Sequence, residues 1–233
     1  MSQPKLGYGM SRGFPRSADD KFSPGGRVEI FATRGRPSVT PKGLISGKGA
    51  INVYSSCDID FSSCEILHQE DVKNVIVNSG KDKLINAVAT GAVNVICRMA
   101  IGDRGTLPSD PSTPKQVNAS MTSLYNEVHR EDIDLAILDI GTAEKHEVRF
   151  VKTFSATDIP LSAFSNSGAP VINEVGLITA DLISGSPLPR DPVSSPATPD
   201  EDEALFAVRT YKSIPFEAAN DISLTVRYTI YVE

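Results

Sequence analysis

The chain has no tryptophan, only three cysteines and three histidines, and no apolar run near the ~20 residues that span a bilayer. Each scarcity closes a class of function. Cys57, Cys64 and Cys97 are too few for a disulfide framework, and no Cys or His pair completes the four closely spaced ligands of a zinc site. Reduced, mostly buried thiols are expected, with no metal and no cofactor. His68, His129 and His146 form neither H-x-x-x-H nor H-E-x-x-H. No G-x-S-x-G elbow is present, so the usual serine hydrolase has no nucleophile. "AIGDRG" (100–105) has the outline of a phosphate loop but lacks its Gly-Lys-Ser/Thr ending, and reads as a strand end and turn. Aromatics are 6% of residues, too few for a sugar platform. The N-terminus "MSQPKLGYGMSRGFPRSADD" has basic residues but no apolar h-region, so a soluble protein made in a cytoplasm is expected.

The 233 residues suit one large β-rich domain, or a domain plus an arm, and 40% apolar content is enough for a sizeable core. Net charge is −6 but unevenly spread. Residues 1–50 hold nine Lys/Arg against three acids, a net +6, which leaves −12 on the remainder. Such asymmetry marks a basic arm that docks on an acidic partner. Protein is the expected partner rather than nucleic acid, because basic and aromatic residues do not interleave as they do where bases stack. Residues 1–26 are rich in Gly, Ser, Pro and Arg without periodicity and read as an extended arm. Residues 1–75 as a whole read as that arm with short strands, too poor in apolar content for a core of their own.

The remainder, 76–233, reads as an antiparallel β-sandwich with one or two short helices. A helix is expected over Asn78–Thr90, capped by Asn78 or Ser79, burying Leu84, Ile85 and Val88 and ended by Gly91. "VNVICRMAIG" (93–102) reads as a buried strand. Gly105, Pro108, Pro111 and Pro114 predict an irregular loop after it. Residues 124–138 read as a short helix or an extended segment. Strands are expected over 146–159, 170–180 and 204–216. "SLTVRYTIYVE" alternates most clearly: Leu224, Val226, Tyr228, Ile230 and Val232 on one side, Thr225, Arg227, Thr229 and Tyr231 on the other. Residues 183–203 hold five prolines and end in four acids, Asp200, Glu201, Asp202 and Glu203. They read as a protruding loop. The expected assembly contacts are Arg12, Arg16, Arg34 and Arg36 of the arm against Asp200–Glu203 of a neighbour.

"PVINEVGLITA" (170–180) sets an acid, Glu174, in an apolar strand. Alternation puts Ile172, Glu174, Gly176 and Ile178 on one face, with Val175 and Leu177 pointing into the core. A buried acid needs a partner. Either Arg130 of "NEVHRED" or a set of backbone amides is expected to supply it. Catalysis by Glu174, or by acid pairs such as Glu131/Asp132 and Asp132/Asp134, is the weaker reading, since such surface pairs are commonplace.

The order of these segments carries a resemblance: Gly102 and Asp103 after a core strand, a Pro/Thr-rich loop, Leu124 to Arg130, Asn173 to Leu177, and Asn220 to Val232. It is similar to the sandwich of bacteriophage tail proteins of the tail-collar-fibre type and related baseplate and neck attachment proteins. The resemblance covers about residues 76–233 and departs at the insertion 183–203. It implies a non-enzymatic virion protein of tail, baseplate, neck or collar. Its partners are then itself, in a ring-like homo-oligomer, and other virion proteins, with no small-molecule substrate and no membrane. A capsid decoration or head-fibre protein and a host-carbohydrate-binding module are the alternatives.

Overall fold

A computed structural model describes residues 24–46, 51–90, 94–139, 146–181 and 203–232. Fourteen strands and one α-helix follow one another along them: β1 (Pro24–Arg34), β2 (Ser38–Ser46), β3 (Val53–Asp60), β4 (Glu65–Lys73), β5 (Val75–Ile76), α1 (Asn78–Thr90), β6 (Asn94–Gly102), β7 (Thr106–Leu107), β8 (Asp110–Pro114), β9 (Glu127–Asp132), β10 (Leu135–Asp139), β11 (His146–Ser155), β12 (Val171–Asp181), β13 (Glu203–Pro215) and β14 (Ile222–Val232). The fold is mainly β, as expected. A seven-stranded sheet runs β2-β3-β10-β11-β14-β1-β4, and a five-stranded sheet runs β5-β13-β12-β6-β9. Neighbours pair antiparallel in both, except that β3 lies parallel to β10.

The two sheets enclose one core, as side-chain alternation dictates. Val28, Ile30 and Ala32 of β1 and Leu224, Val226 and Tyr228 of β14 meet Met99 and Ile101 of β6, Val175 and Leu177 of β12, and Tyr211 and Ile214 of β13. The alternation read in the last strand is that of β14: Leu224, Val226 and Tyr228 are fully buried.

The segment expected to be an arm does not stand apart. Over 24–75 it supplies four strands of the larger sheet, and β1 lies between β14 and β4. Its apolar content is low in total, but Val28, Ile30 and Ala32 of β1 enter the shared core, and Val39, Tyr54 and Ile59 pack with Leu135, Ile137 and Val151 on the other face of the sheet. Burying a Val or Ile there contributes about 1.5–3 kcal/mol each. On that other face Phe31 is covered by the ring of Phe61, with centroids 5.0 Å apart. Residues 1–23, with Arg12 and Arg16, lie outside the described residues, as does the insertion from 182 to 202.

Helix α1 keeps the expected bounds but not the expected stripe. Ile85 is 62% exposed and Leu84 half-buried, while Gly80 is buried against β13. A Cβ at Gly80 would collide with the carbonyl of Phe206, so a glycine is what lets the helix lie this close to the strand. Ser79, expected as a cap, donates its hydroxyl to the Leu205 carbonyl at 2.6 Å. Gly91 and the side chain of Val88 lie outside the described residues. The helix and the 115–126 segment cover the outer face of the smaller sheet, where Ala100, Ile178, Leu205 and Val208 pack with Val77 and Leu124.

One local reading is corrected, and of the two left open for residues 124–138 the structure shows the extended one. The breaker-rich loop after β6 contains a two-stranded ribbon, β7 with β8. Pro111 and Pro114 sit in it because a ribbon edge does not need every N–H. Residues 124–138 are extended rather than helical, forming β9 and β10.

Candidate functional site

Three of the recurring sequence segments converge where β6 ends. Glu174 on β12 is fully buried. Its Oε1 accepts from the backbone N–H of Asn126 at 2.8 Å and of Arg104 at 3.2 Å, and its Oε2 from the N–H of Tyr125 at 2.8 Å. Burial pushes its carboxyl up, the three amides oppose that, and the nearby charge of Asp103 adds to it. The partner is therefore the backbone-amide alternative. Arg130 does not pair with Glu174.

Asn173 works beside it. Its Oδ1 accepts from the Gly105 N–H at 2.6 Å, and its Nδ2 donates to the Asp103 carbonyl, Thr106 Oγ1 and Ser213 Oγ. A bulge in β12 between Ile172 and Glu174 lets Asn173 and Glu174 both address the 102–106 turn while Ile172 and Val175 both enter the core. Asp103 completes the staple. Its Oδ1 accepts from Asn126 Nδ2 at 2.7 Å, and its Oδ2 from the Ser165 N–H at 2.5 Å. Gly102 and Gly105 are the close approaches. A Cβ on Gly102 would stand 2.5 Å from Glu174 Oε1, and one on Gly105 would meet the Asn173 carbonyl.

Arg130 on β9 serves a second cluster on the same outer face. It forks onto Glu127, Nη2 to Oε2 at 2.8 Å, and also bonds Glu203. Glu203 is shared with Arg98 of β6, which lies 3.4 Å from Asp132. Arg130 and Glu203 have side chains 2% exposed. Burial opposes the Arg130 charge, but Glu127 and Glu203 overcome it and raise its basicity. Glu203, expected on a solvent-facing loop, is thus the first residue of β13 and tied within its own chain. Its partners are the two arginines that a buried carboxylate at that position requires. Asp200, Glu201 and Asp202 lie outside the described residues. Arg34 and Arg36 are exposed, and Arg34 bonds Glu65 at 2.5 Å.

Sequence reading gave roles to Glu174 and Arg130 but none to Asn126, Ser165 or Glu127, and placed Glu203 wrongly. Asp103 and Asn126 stood inside quoted segments. Their polar side chains next to a turn glycine and an apolar strand were the available signal. Ser165, in "FSNSG", offered none.

The chemistry of this region is fastening. Both Glu174 oxygens face main chain, and none of its surface meets solvent. Of the other acids weighed for hydrolysis, Asp132 contacts Arg98, and Glu131 and Asp134 both contact Lys152. A groove of about 510 Å³ on the outer face of the larger sheet gathers Arg27, Arg149 and Arg227 with Glu29 and Glu147. There Arg227 grips Glu29 through two bonds of 2.5 and 2.6 Å. Among the described residues no group of three or more His, Cys, Asp or Glu is placed to hold a metal ion. The three cysteines are free thiols, half-buried. Burial pushes the Cys97 thiol up to about 11. No protein family, no curated protein and no solved structure matches this chain.

Proposed function

We propose that the chain is a non-enzymatic structural protein of a tailed-phage virion. It oligomerises in the tail, baseplate or neck and links neighbouring virion components. One observation carries this reading: the residues behind the resemblance meet as a staple and face main chain. Gly102 and Asp103, Tyr125 and Asn126, and Asn173 and Glu174 hold one another's loops. Residues used this way serve a rigid scaffold, which an assembly protein needs in every copy. The basic segment at the start of the chain and the acidic remainder supply complementary patches for a head-to-tail ring.

The test is immunogold labelling of purified particles with an antibody to the chain. Labelling at the tail or neck supports the proposal. Labelling over the capsid moves the protein to head decoration, and its absence from purified particles overturns the reading. Deleting residues 1–23, which stops short of β1, should abolish incorporation, read by immunoblot of the particles.

A further inference from the structure

Along one side of the sandwich the two sheets meet through side chains, and several of those are polar. β5 pairs with β13 only at Ile76↔Ala207 and Val75↔Val208, and beyond these pairs the described residues set no strand against that edge of β13. On β4, His68, Glu70 and Val72 stand opposite Ala32, Ile30 and Val28 of β1 and so share their core face. On β13, Arg209 stands opposite Val175 and shares its core face, and Tyr211 lies in the same core. Asn74 turns the chain from β4 into β5, with its N–H on the Gly26 carbonyl and its side chain packed over Gly26. His68 lines one groove with Ser213 and Ile214, and the charge of Glu70 reaches Tyr211. β4 and β13 thus run antiparallel along a seam from Asn74 and Arg209 at one end to His68 and Ser213 at the other.

Five buried atoms of this seam have no hydrogen-bond partner among the described residues: Oδ1 and Nδ2 of Asn74, Nε of Arg209, and the hydroxyls of Tyr211 and Tyr228. Both tyrosines are wholly buried. Burial pushes the Tyr228 phenol up, and Asn74 and the Arg209 charge, both within reach of it, oppose that. We infer that the seam binds ordered water, one molecule shared by Asn74, Arg209 and Tyr228 and a second at the Tyr211 hydroxyl. The inference does not depend on where the chain assembles.

The demand is energetic. A buried polar atom left without a partner loses its hydration and gains nothing, and five together would offset much of the marginal stability of a domain. The chemistry of the five atoms selects the occupant. Whichever way the Asn74 amide is turned, one of its buried atoms needs a donor and the other an acceptor, while Arg209 Nε only donates. An oxyanion only accepts, so it leaves the Asn74 oxygen bare, and at Tyr211 it meets the Glu70 charge. A cation is repelled by Arg209. Water both donates and accepts, and buried water is held by two to four polar partners, the number that Asn74, Arg209 and Tyr228 supply.

A crystal structure of the full wild-type chain, at a resolution that shows ordered solvent, tests this without any variant. It should place a water within about 2.7–3.2 Å of the Tyr228 hydroxyl, Arg209 Nε and an Asn74 amide atom, and another at the Tyr211 hydroxyl. A direct Asn74–Tyr228 bond with no water between the sheets overturns the inference, and so does an anion or an acidic side chain in that place. Tyr228→Phe and Tyr211→Phe give an independent sign in thermal unfolding. Removing a hydroxyl that bonds water lowers the melting temperature, whereas removing one buried without a partner raises it. A lower melting temperature for both variants is expected. A higher one for Tyr228→Phe overturns the shared water, and a higher one for Tyr211→Phe overturns the second.

Discussion

Glu174→Gln tests the staple most directly. Glutamine has the shape of the acid but one oxygen where the acid has two. Its best orientation keeps Oε1 on the N–H groups of Asn126 and Arg104 and turns Nε2 toward the N–H of Tyr125, a donor against a donor. A charge-assisted bond of about 1.5–3 kcal/mol is lost there, and two others fall to neutral strength. Part of this is offset, because the ionised carboxylate is costly to bury, as its raised pKa states. The net expectation near neutral pH is a loss of about 2 kcal/mol, or about 4–8 °C in Tm for a chain of this size. The pH dependence has a definite sign. A carboxyl whose folded pKa is raised contributes stability that is full below its unfolded value and is lost as pH rises through the folded one. The gap between wild type and Glu174→Gln should therefore be largest in acid and narrow toward neutrality. Urea unfolding across pH, followed by far-ultraviolet circular dichroism, reads it. A gap that widens with rising pH refutes the balance in which burial outweighs the three amides, and a neutral-pH loss below about 0.5 kcal/mol refutes the account of three amides holding one buried acid.

Three further outcomes are expected. Gly102→Ala should destabilise by about 3 kcal/mol or more, because its methyl has no room beside Glu174 and the Asn126 carbonyl, and thermal unfolding measures this. Arg130→Met should lower stability by about 3–5 kcal/mol by leaving Glu203 and Glu127 short of a cation, whereas adding Glu203→Gln should recover part of that loss in denaturant titrations. Glu131 is opposed by burial but bonded by His129 and Lys152, which hold it down from 4.5 to about 2. Its contribution, up to about 3 kcal/mol, is present above the unfolded value and lost as pH falls from 4.5 to about 2. Glu131→Gln should flatten that part of an acid-unfolding curve.

How much of this was legible in the sequence varied with the range of the interaction. Helix α1 and strand β14 carry local signals, a polar start or unbroken period two, and both lie where expected. β1 was misjudged in role. A short strand looks the same on an isolated arm and in the middle of a sheet, and only the partners β14 and β4 decide between them. Ile85 was misassigned because Gly80, rather than an apolar stripe, sets how the helix meets β13. Glu174 was identified as structural from its apolar neighbours. Its donors sit about 50 and 70 positions away along the chain and are main-chain atoms, which no side-chain pattern announces. Arg130 found Glu203 across 73 positions, and Glu203 was hidden by three acids before it that read as one solvent-facing run.

The register of β12 and β13 has a consequence for how this chain can vary. Ala180 and Glu203 face each other across the two strands, and Glu203 is anchored to Arg98 and Arg130. Everything between them enters and leaves through one fastened doorway. Lengthening the chain that joins two fixed strand ends costs only about 0.6 kcal/mol for each doubling. Residues 182–202 are thus the place where this chain can accept a foreign epitope or a change of length with the sandwich left as it is.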